Sequence, residues 1–222
     1  MNKKSEFETL DFNRLTGNEI LKRANEHLKM MSTRRTVREY SPDPIPDGVL
    51  EKLIETAGMA PSGANKQPWH FCVITNHDLK RNIRESAEKE EKENYQRRFS
   101  DTFKEDLAKF ETSFKKEYID DAPALIIVFK ERYKMENGVQ KKNYYVNESV
   151  GIAIGFLITA IHNAGLATLP HTPNPMSFLN DLLDRPKNET PILLMPVGFP
   201  KEGTKVPVLK RKPLDEIMHV YS

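Results

Sequence analysis

Apolar residues recur with two different periods along this chain, and each period predicts a different kind of element. The spacing i, i+3, i+4, i+7 predicts one face of a helix and is followed by Leu50, Leu53, Ile54 and Ala57. Residues 69–75 are rich in strand-forming types, and residues 124–129 form a continuous apolar run after Pro123, which predicts a buried strand. Strands therefore alternate with helices, and the fold class is mixed α and β.

The longest apolar segment, 146–164, predicts a helix that is buried nearly all round, because Ile152 and Phe156 add apolar residues to the side opposite its main stripe. Gly151 and Gly155 on this helix permit close contact with another helix. Further strands are predicted at 166–169 and 192–197, with a short helix at 177–183 between them. The first thirty residues look helical and polar, and the tail 205–222 is expected to lie extended over another surface.

Residues 78–118 combine modest apolar faces with heavy charge. One slowly drifting face recurs every four residues and comprises Leu79, Ile83, Ala87, Glu91 and Tyr95. A second stripe comprises Phe103, Leu107, Phe110 and Phe114. We interpret the segment as two helices that form a lid over something, rather than as core.

Composition narrows the functional classes. The chain has 222 residues and 34 Lys+Arg against 32 Asp+Glu, a net charge of +2, which suits one domain and argues against a nucleic-acid binder. The single cysteine, Cys72, excludes a disulfide scaffold, and the six histidines form no HExxH motif, so no metal site is predicted. No secretory signal or membrane span is visible, and we expect a cytoplasmic protein.

Two cationic clusters are candidates for phosphate binding. Arg34, Arg35 and Arg38 precede a proline-rich turn, and arginine forks present several donors to several phosphate oxygens at once. Lys210, Arg211 and Lys212 form the second cluster near the C-terminus. The alternative for both is a solvated charged surface, which composition alone favours.

Two further groups are candidates for a ligand site. The loop 60–69, APSGANKQPW, links a helix to a strand, and its Ser62 and Gly63 allow close approach to a flat polar ligand. Glu91, Tyr95 and Lys116 provide an acid, a phenol and a base, with the first two on one helix face. An ordinary loop and a charged surface helix are the alternatives. No GxGxxG or P-loop motif is present.

Taken together, three motifs resemble the nitroreductase superfamily of FMN enzymes: RRTVR (34–38), APSGANKQPW (60–69) and KRKPLDEI (210–217). Three more stretches are similar to its iodotyrosine deiodinase branch: EKEEKENYQRR (88–98), KKEYIDDAP (115–123) and VPVLKRKPLDEIM (206–218). The resemblance runs from about residue 30 to the end. Since the membrane anchor of vertebrate members is not seen, the chain resembles the soluble bacterial members.

The resemblance implies an α+β nitroreductase-like FMN fold that spans 1–222 as a single domain, with a central mixed sheet flanked by helices. It implies an intertwined homodimer, in which the helix 146–164 forms much of the interface and the extended C-terminal tail wraps the partner. FMN would lie in that interface, because its contacts come from three distant parts of the chain. Residues 78–118 would be an active-site lid ordered by the ligand.

Residue roles also follow from the resemblance. The FMN-binding residues would be Arg34, Arg35, Thr36, Val37, Arg38, Ser62, Gly63, Pro170, His171, Thr172 and Arg211. The substrate-binding residues would be Ala64, Glu91, Tyr95 and Lys116. Thr172 would be the catalytic residue, donating a hydrogen bond to flavin N5. Pro170 and His171 replace hydroxyl residues of the family, and Pro170 has no N–H to donate.

The function implied is FMN-dependent reductive dehalogenation, which removes iodide, bromide or chloride from halotyrosines to give tyrosine. A broad-range NAD(P)H-dependent nitroreductase acting by hydride transfer is the alternative, and a flavin-binding module without turnover is a third. Glu91, Tyr95 and Lys116 distinguish the first two functions, because a broad-range nitroreductase does not need to recognise an amino-acid zwitterion. Whether NAD(P)H or a reductase supplies the electrons is open.

Overall fold

The computed structural model describes residues 7–222, and the chain divides into two units, Met1–Arg34 and Arg35–Ser222. The described part of the first unit contains one helix, α1 (Gly17–Ser32). Thr16 and Glu19 begin it with a capping box, in which the Thr16 N–H donates to Glu19 Oε2 over 3.0 Å. Residues 7–16 are not helical, so the prediction of a helix over the first thirty residues is wrong there.

The second unit is built on a four-stranded sheet with the strand order β1-β2-β6-β5, and every pair of these strands is antiparallel. A separate hairpin pairs β3 with β4. The strands are β1 (Trp69–Ile74), β2 (Ala124–Glu131), β3 (Tyr133–Glu136), β4 (Val139–Lys142), β5 (Ala167–Thr168) and β6 (Glu189–Gly198). The prediction of a mixed sheet is therefore wrong for these strands; the parallel pairing between Thr36 and Thr168 is an isolated bridge.

Helices cover both faces of this sheet. They are α2 (Val49–Gly58), α3 (His77–Glu93), α4 (Asp101–Ala108), α5 (Tyr118–Asp121), α6 (Val146–Asn163) and α7 (Phe178–Leu182). A π-helical turn, Asn94–Arg98, follows α3 directly, and 3₁₀ turns lie at Gly63–Asn65 and Leu214–Glu216. The predicted helices around residues 50–57, 146–164 and 177–183 and the predicted strands are confirmed within a few residues.

Strand β2 separates the two halves of the core. Its side chains alternate between the faces, as the two-residue period of a strand requires. Leu125, Ile127 and Phe129 belong to the cluster that includes Ile83 of α3, whereas Ile126 and Val128 belong to the cluster that includes residues of α2 and α6. All five β2 side chains are fully buried, which accounts for the uninterrupted apolar run in the sequence.

Three details differ from the predictions. The helix α6 is not buried all round, since Ile152 and Phe156 are 42% and 40% exposed in the single chain. In α3, Ile83 and Ala87 are fully buried, so the first half of the segment 78–118 is core rather than a cover. The hairpin β3–β4 was not predicted, although its Asn-Gly turn has the positive φ angles that favour this pair.

The tail 205–222 has little regular structure and many uncovered apolar side chains. Val208 is 97% exposed and Tyr221 is 90% exposed. In the single chain these apolar side chains are in contact with water, which is unfavourable unless another surface covers them. No helix within residues 7–222 has both the length and the apolar character that a membrane crossing needs.

Candidate active site

A cavity of about 180 Å³ lies where the end of α3, the end of β5 and the segment before α5 meet. Seven of the residues predicted for the site line it: Arg38, Glu91, Tyr95, Lys116, Pro170, His171 and Thr172. Phe99, Phe103, Leu107, Thr112, Tyr118 and Leu169 complete the lining. The cavity therefore unites three stretches of chain that are far apart in sequence.

The arginine run enters the site along the sheet. Thr36 forms the parallel bridge to Thr168, and the Val37 N–H donates to the Thr168 carbonyl over 3.4 Å. The side chain of Val37 is buried, so the next residue, Arg38, is held at the cavity wall. Its guanidinium carbon lies 5.7 Å from the centroid of the Phe110 ring, a cation–π contact.

The π-helical turn places Glu91 and Tyr95 on the same wall. It begins three residues after Glu91, and the Phe99 N–H closes it by donating to the Asn94 carbonyl over 2.8 Å. Asn94 is buried and donates through Nδ2 to the Asn174 carbonyl over 2.7 Å, which ties this turn to the loop after Thr172. The wide turn is local and fixed at one end by that bond.

Both the backbone N–H and the side-chain ammonium group of Lys116 have hydrogen-bond partners. Its N–H donates to Glu88 Oε1 over 2.7 Å, and the same Glu88 oxygen accepts a bond from Arg84 Nε. Lys116 Nζ donates to the Ser113 carbonyl over 2.6 Å and lies 3.2 Å from Glu91 Oε2. Since Lys116 and Glu91 are only 3% and 5% exposed, this is a buried ion pair.

Burial and the attraction between Glu91 and Lys116 shift the pKa of each group in opposite directions. Burial lowers the pKa of Lys116, and the neighbouring Glu91 offsets that only in part. Burial also raises the pKa of Glu91, but His171 and Lys116 outweigh it and hold the pKa below the usual value of a glutamate. The contact of 3.2 Å between the two groups favours the charged form of each, against the burial that disfavours it.

Aromatic side chains line the cavity beside this ion pair and form what we call its aromatic roof. The Tyr95, Phe99 and Phe103 rings meet edge to face, with centroids 5.3 and 4.7 Å apart. Tyr95 also donates its hydroxyl proton to the Thr112 carbonyl over 3.2 Å. The sequence predicts Phe103 and Leu107 as part of an apolar stripe but does not place them in the site. The spacing of that stripe is the signal that could have identified them.

Other predicted site residues lie outside the cavity. Ser62, Gly63 and Ala64 are not part of its lining, and Arg211 is exposed in the tail. Arg35 donates through Nη2 to the Pro207 carbonyl, at the start of that tail. Arg34 lies in the first unit, where its N–H donates to the Met31 carbonyl after α1.

The loop with Ser62 and Gly63 is instead fixed against the start of α6. The Gly63 N–H donates to Ser149 Oγ over 3.3 Å, and Ser149 Oγ donates to the Tyr145 carbonyl over 2.6 Å. A Cβ atom at Gly63 would lie 2.8 Å from Cδ2 of the Tyr145 ring, so a larger residue there requires that ring to move. Ala64 follows with a φ of 51°, in the left-handed region.

Two larger depressions in residues 7–222, of about 540 and 460 Å³, contain none of the predicted site residues. The larger one is lined mainly by charged and polar surface groups around Glu39 and Lys201. Neither has a buried ion pair of the kind that Glu91 and Lys116 form. We therefore place the candidate active site in the smaller cavity, on its chemistry rather than its size.

Comparison with known proteins gives concordant results. The model of the family described as "Nitroreductase family" matches residues 31–199. The iodotyrosine deiodinase of Haliscomenobacter hydrossis is 52% identical over 204 residues, which cover 91% of this chain and 92% of that protein. Human iodotyrosine deiodinase 1 is 45% identical over 202 residues, which cover 90% of this chain and 70% of that protein.

A solved structure extends the similarity to the fold. The crystal structure of an oxidized iodotyrosine deiodinase bound to FMN and 3-iodo-L-tyrosine superposes with a TM-score of 0.76 at 29% identity. The match covers 85% of this chain and 96% of that chain. A Bacteroides fragilis nitroreductase with bound FMN, at 22% identity and a TM-score of 0.66, shares the fold.

Proposed function

Because the chain belongs to the nitroreductase family, we propose that it binds FMN and catalyses reductive dehalogenation of halotyrosines. The similarity to deiodinases over most of the chain supports this reaction. The observation that carries the proposal is the buried pair of Glu91 and Lys116, next to Tyr95, in a cavity with an aromatic roof.

This pair suits the amino-acid end of a halotyrosine. Glu91 accepts hydrogen bonds from the ammonium group, while Lys116 and Tyr95 donate to the carboxylate. A zwitterion placed beside an existing ion pair adds no net charge to the site, whereas a lone ion would leave one charge without a partner. The roof formed by Phe99, Phe103 and Leu107 excludes water and covers the aromatic part of the ligand.

The donor groups present fit an FMN molecule. Arg35 and Arg38 supply guanidinium donors for the phosphate or the flavin carbonyls, and Thr172 supplies a hydroxyl. Thr36 and Val37 connect these groups to β5, and the buried Thr168 Oγ1 beside them has no partner within the described residues. Ser62, Gly63 and Arg211 complete the proposed FMN-binding set, with Arg34, Pro170 and His171.

When bound, FMN supplies two electrons, which together with one proton convert a carbon–halogen bond into a carbon–hydrogen bond and a halide ion. NAD(P)H or a reductase restores the electrons. The protein holds the amino-acid end through Glu91 and Lys116. Thr172, exposed at the cavity edge in the single chain, would donate a hydrogen bond from its hydroxyl group to the bound flavin. Ala64 contacts the bound substrate.

We further propose that two copies of the chain form this site. One chain brings Arg38 and Thr172 to the cavity but leaves Ser62 and Gly63 outside it. The exposed α6 face carries Gly151, Ile152, Gly155 and Phe156, and a Cβ atom at either glycine would meet nothing within 4 Å. A homodimer that buries this face and the tail would complete the FMN site. Within residues 78–118, the second half then acts as a lid over the cavity, while the first half packs in the core.

The test is titration of the FMN-loaded protein with 3-iodotyrosine and with 2-iodophenol, followed by flavin absorbance. The zwitterion contacts require iodophenol, which lacks the amino-acid end, to bind far more weakly. Reduced with dithionite without oxygen, the protein should then release iodide and tyrosine in equal amounts. Equal affinity for both ligands, or reduction of nitroaromatics without halide release, would contradict the proposal and favour a broad-range nitroreductase.

A further inference from the structure

His171 presents a buried imidazole to the cavity. Its backbone is fixed by an isolated bridge to β6, because its N–H donates to the Leu194 carbonyl over 2.9 Å and its carbonyl accepts from the Leu194 N–H over 2.8 Å. The side chain is 11% exposed and meets the Tyr118 ring edge to face at 5.7 Å. With the backbone committed to the sheet, any specific contact of His171 with a ligand comes from its ring.

Neither ring nitrogen of His171 has a hydrogen-bond partner among the described residues. Nε2 lies 3.7 Å from Glu91 Oε1, which is within ion-pair range but too long for a hydrogen bond. A buried polar group without a partner is costly, and such groups are rare in folded proteins. The carboxylate of Glu91 is therefore the group with which this imidazole interacts, at a distance that a small shift would close.

The charged and titratable groups around His171 come from every element packed against it. Glu91 faces it from α3, Lys116 and Tyr118 from the segment at α5, Arg38 from the arginine run, and Tyr95 from the π-helical turn. Burial lowers the pKa of His171, Glu91 raises it, and Lys116 and Arg38 lower it again, so that this pKa lies below the ordinary value of a histidine. The neutral form of His171 is therefore favoured, and the ring gains a proton only as the pH falls through this lowered pKa.

We propose that His171 is a positioning residue that acts through Glu91 and makes halotyrosine binding sensitive to pH. Neutral His171 leaves the Glu91 carboxylate available to the ammonium group of the ligand. Protonated His171 pairs with the same carboxylate and competes with that ammonium. The inference rests on the proposed function, since it requires a ligand whose ammonium group binds Glu91.

The direction of the pH effect follows from linkage. An ammonium group bound at Glu91 adds positive charge beside His171 and lowers its pKa further, so the complex holds fewer protons than the free protein. Binding then releases a proton to solvent at pH values below the pKa of His171 in the free protein. Affinity falls as the pH drops through the pKa of His171, with a limiting slope of about tenfold per pH unit.

The experiment is calorimetric titration of the FMN-loaded protein with 3-iodotyrosine between about pH 5 and 7.5, in two buffers of different ionisation enthalpy. His171→Gln and His171→Asn keep a polar amide but do not titrate. His77→Gln is the matched control, because His77 is exposed and contacts Arg81. The phenol of the ligand titrates equally in all four proteins, so differences between them isolate His171.

As the pH falls, wild type and His77→Gln should lose affinity and release protons on binding, whereas both His171 variants should show a shallower slope and less proton release. A slope and proton release unchanged in both variants would overturn the inference while leaving the proposed function intact, as would an equal loss at every pH. Absence of 3-iodotyrosine binding by wild type at every pH would overturn both.

Discussion

Glu91 and Lys116 are almost fully buried and 3.2 Å apart, whereas Ser62 and Gly63, to which we assign FMN contacts, lie outside the cavity that this pair occupies. The two regions differ in what holds them. The pair is fixed by Glu88, Ser113 and the packing of α3 within one chain. The Ser62 loop is fixed by Ser149 of α6, whose neighbouring face is uncovered.

The two ends of the proposed site, one for the amino-acid part of the ligand and one for the flavin, therefore depend on different levels of structure. The amino-acid end depends on the tertiary fold alone, so it should survive changes at the surface of the chain. In the proposed dimer, the flavin end depends on a second copy, because Ser62 and Gly63 do not line the cavity of the single chain. Substitutions at each end should therefore separate ligand recognition from FMN retention.

The largest effect is expected at the buried pair. Glu91→Gln and Lys116→Met each leave one charge buried without its partner and remove a contact with the zwitterion, at a cost of about 2–5 kcal/mol. Affinity for 3-iodotyrosine should fall by a factor of about 30 or more, while FMN stays bound. Titration followed by flavin absorbance measures both quantities in one experiment.

The double variant, Glu91→Gln with Lys116→Met, is the control for stability, since it leaves no buried charge alone. It should unfold at a higher temperature than either single variant and still fail to bind the zwitterion. The exposed neighbour Lys115, changed to Met, should bind normally. Loss of FMN in the single variants would show that the two ends of the site are not separable.

The next effect is expected at the open face of α6. Gly155→Leu fits the single chain, because a Cβ atom there meets nothing within 4 Å, and it favours the helix by up to about 1 kcal/mol. In the proposed dimer the same side chain would clash with the partner. The variant should be monomeric and lose FMN, yet keep its helical content. Analytical ultracentrifugation and flavin content measure this, and a stable flavin-bound dimer would contradict the dimer proposal.

Much of the architecture could be predicted from the sequence, because periodicity reports directly on burial within one chain. The run at β2 and the helix α2 are examples, since both depend on local spacing. The pattern could not show which apolar residues of α6 are covered by the same chain, and Ile152 and Phe156 are not. Apolar periodicity alone does not distinguish core from interface.

The charged residues of the candidate site could be predicted from the sequence, whereas the aromatic residues that line it could not. Glu91 and Lys116 are the kinds of residue that a search for chemistry selects, and the structure brings them together. Phe99 and Tyr118 entered no candidate list, because an aromatic residue in a charged helix has no chemical signature of its own. The unpartnered ring of His171 is a property of tertiary packing and has no counterpart in the sequence pattern.

A smaller effect is expected at the tail. Arg211→Ala removes a guanidinium that we assign to the FMN phosphate, and FMN affinity should fall by about ten- to hundredfold. Lys212→Ala is the matched control, as its neighbour in the same exposed tail, and should change FMN affinity far less. Ultrafiltration at low protein concentration measures the free flavin. Equal retention in both variants would remove Arg211 from the site and leave the FMN contacts to Arg35 and Arg38.

The smallest binding effect, and the most selective one, is expected at Thr172. Thr172→Ala removes one hydroxyl at the cavity edge and changes little volume, so neither FMN nor 3-iodotyrosine affinity should change by more than about threefold. Dehalogenation should slow by about ten- to hundredfold, the worth of one hydrogen bond to the flavin. Reduction of nitroaromatics by hydride transfer, which does not need that bond, should hold or rise. Thr172→Ser keeps the hydroxyl and should restore dehalogenation. If both variants release iodide at the rate of wild type, the loop from Leu169 to Thr172 does not serve the reaction, and the nitroreductase alternative gains support.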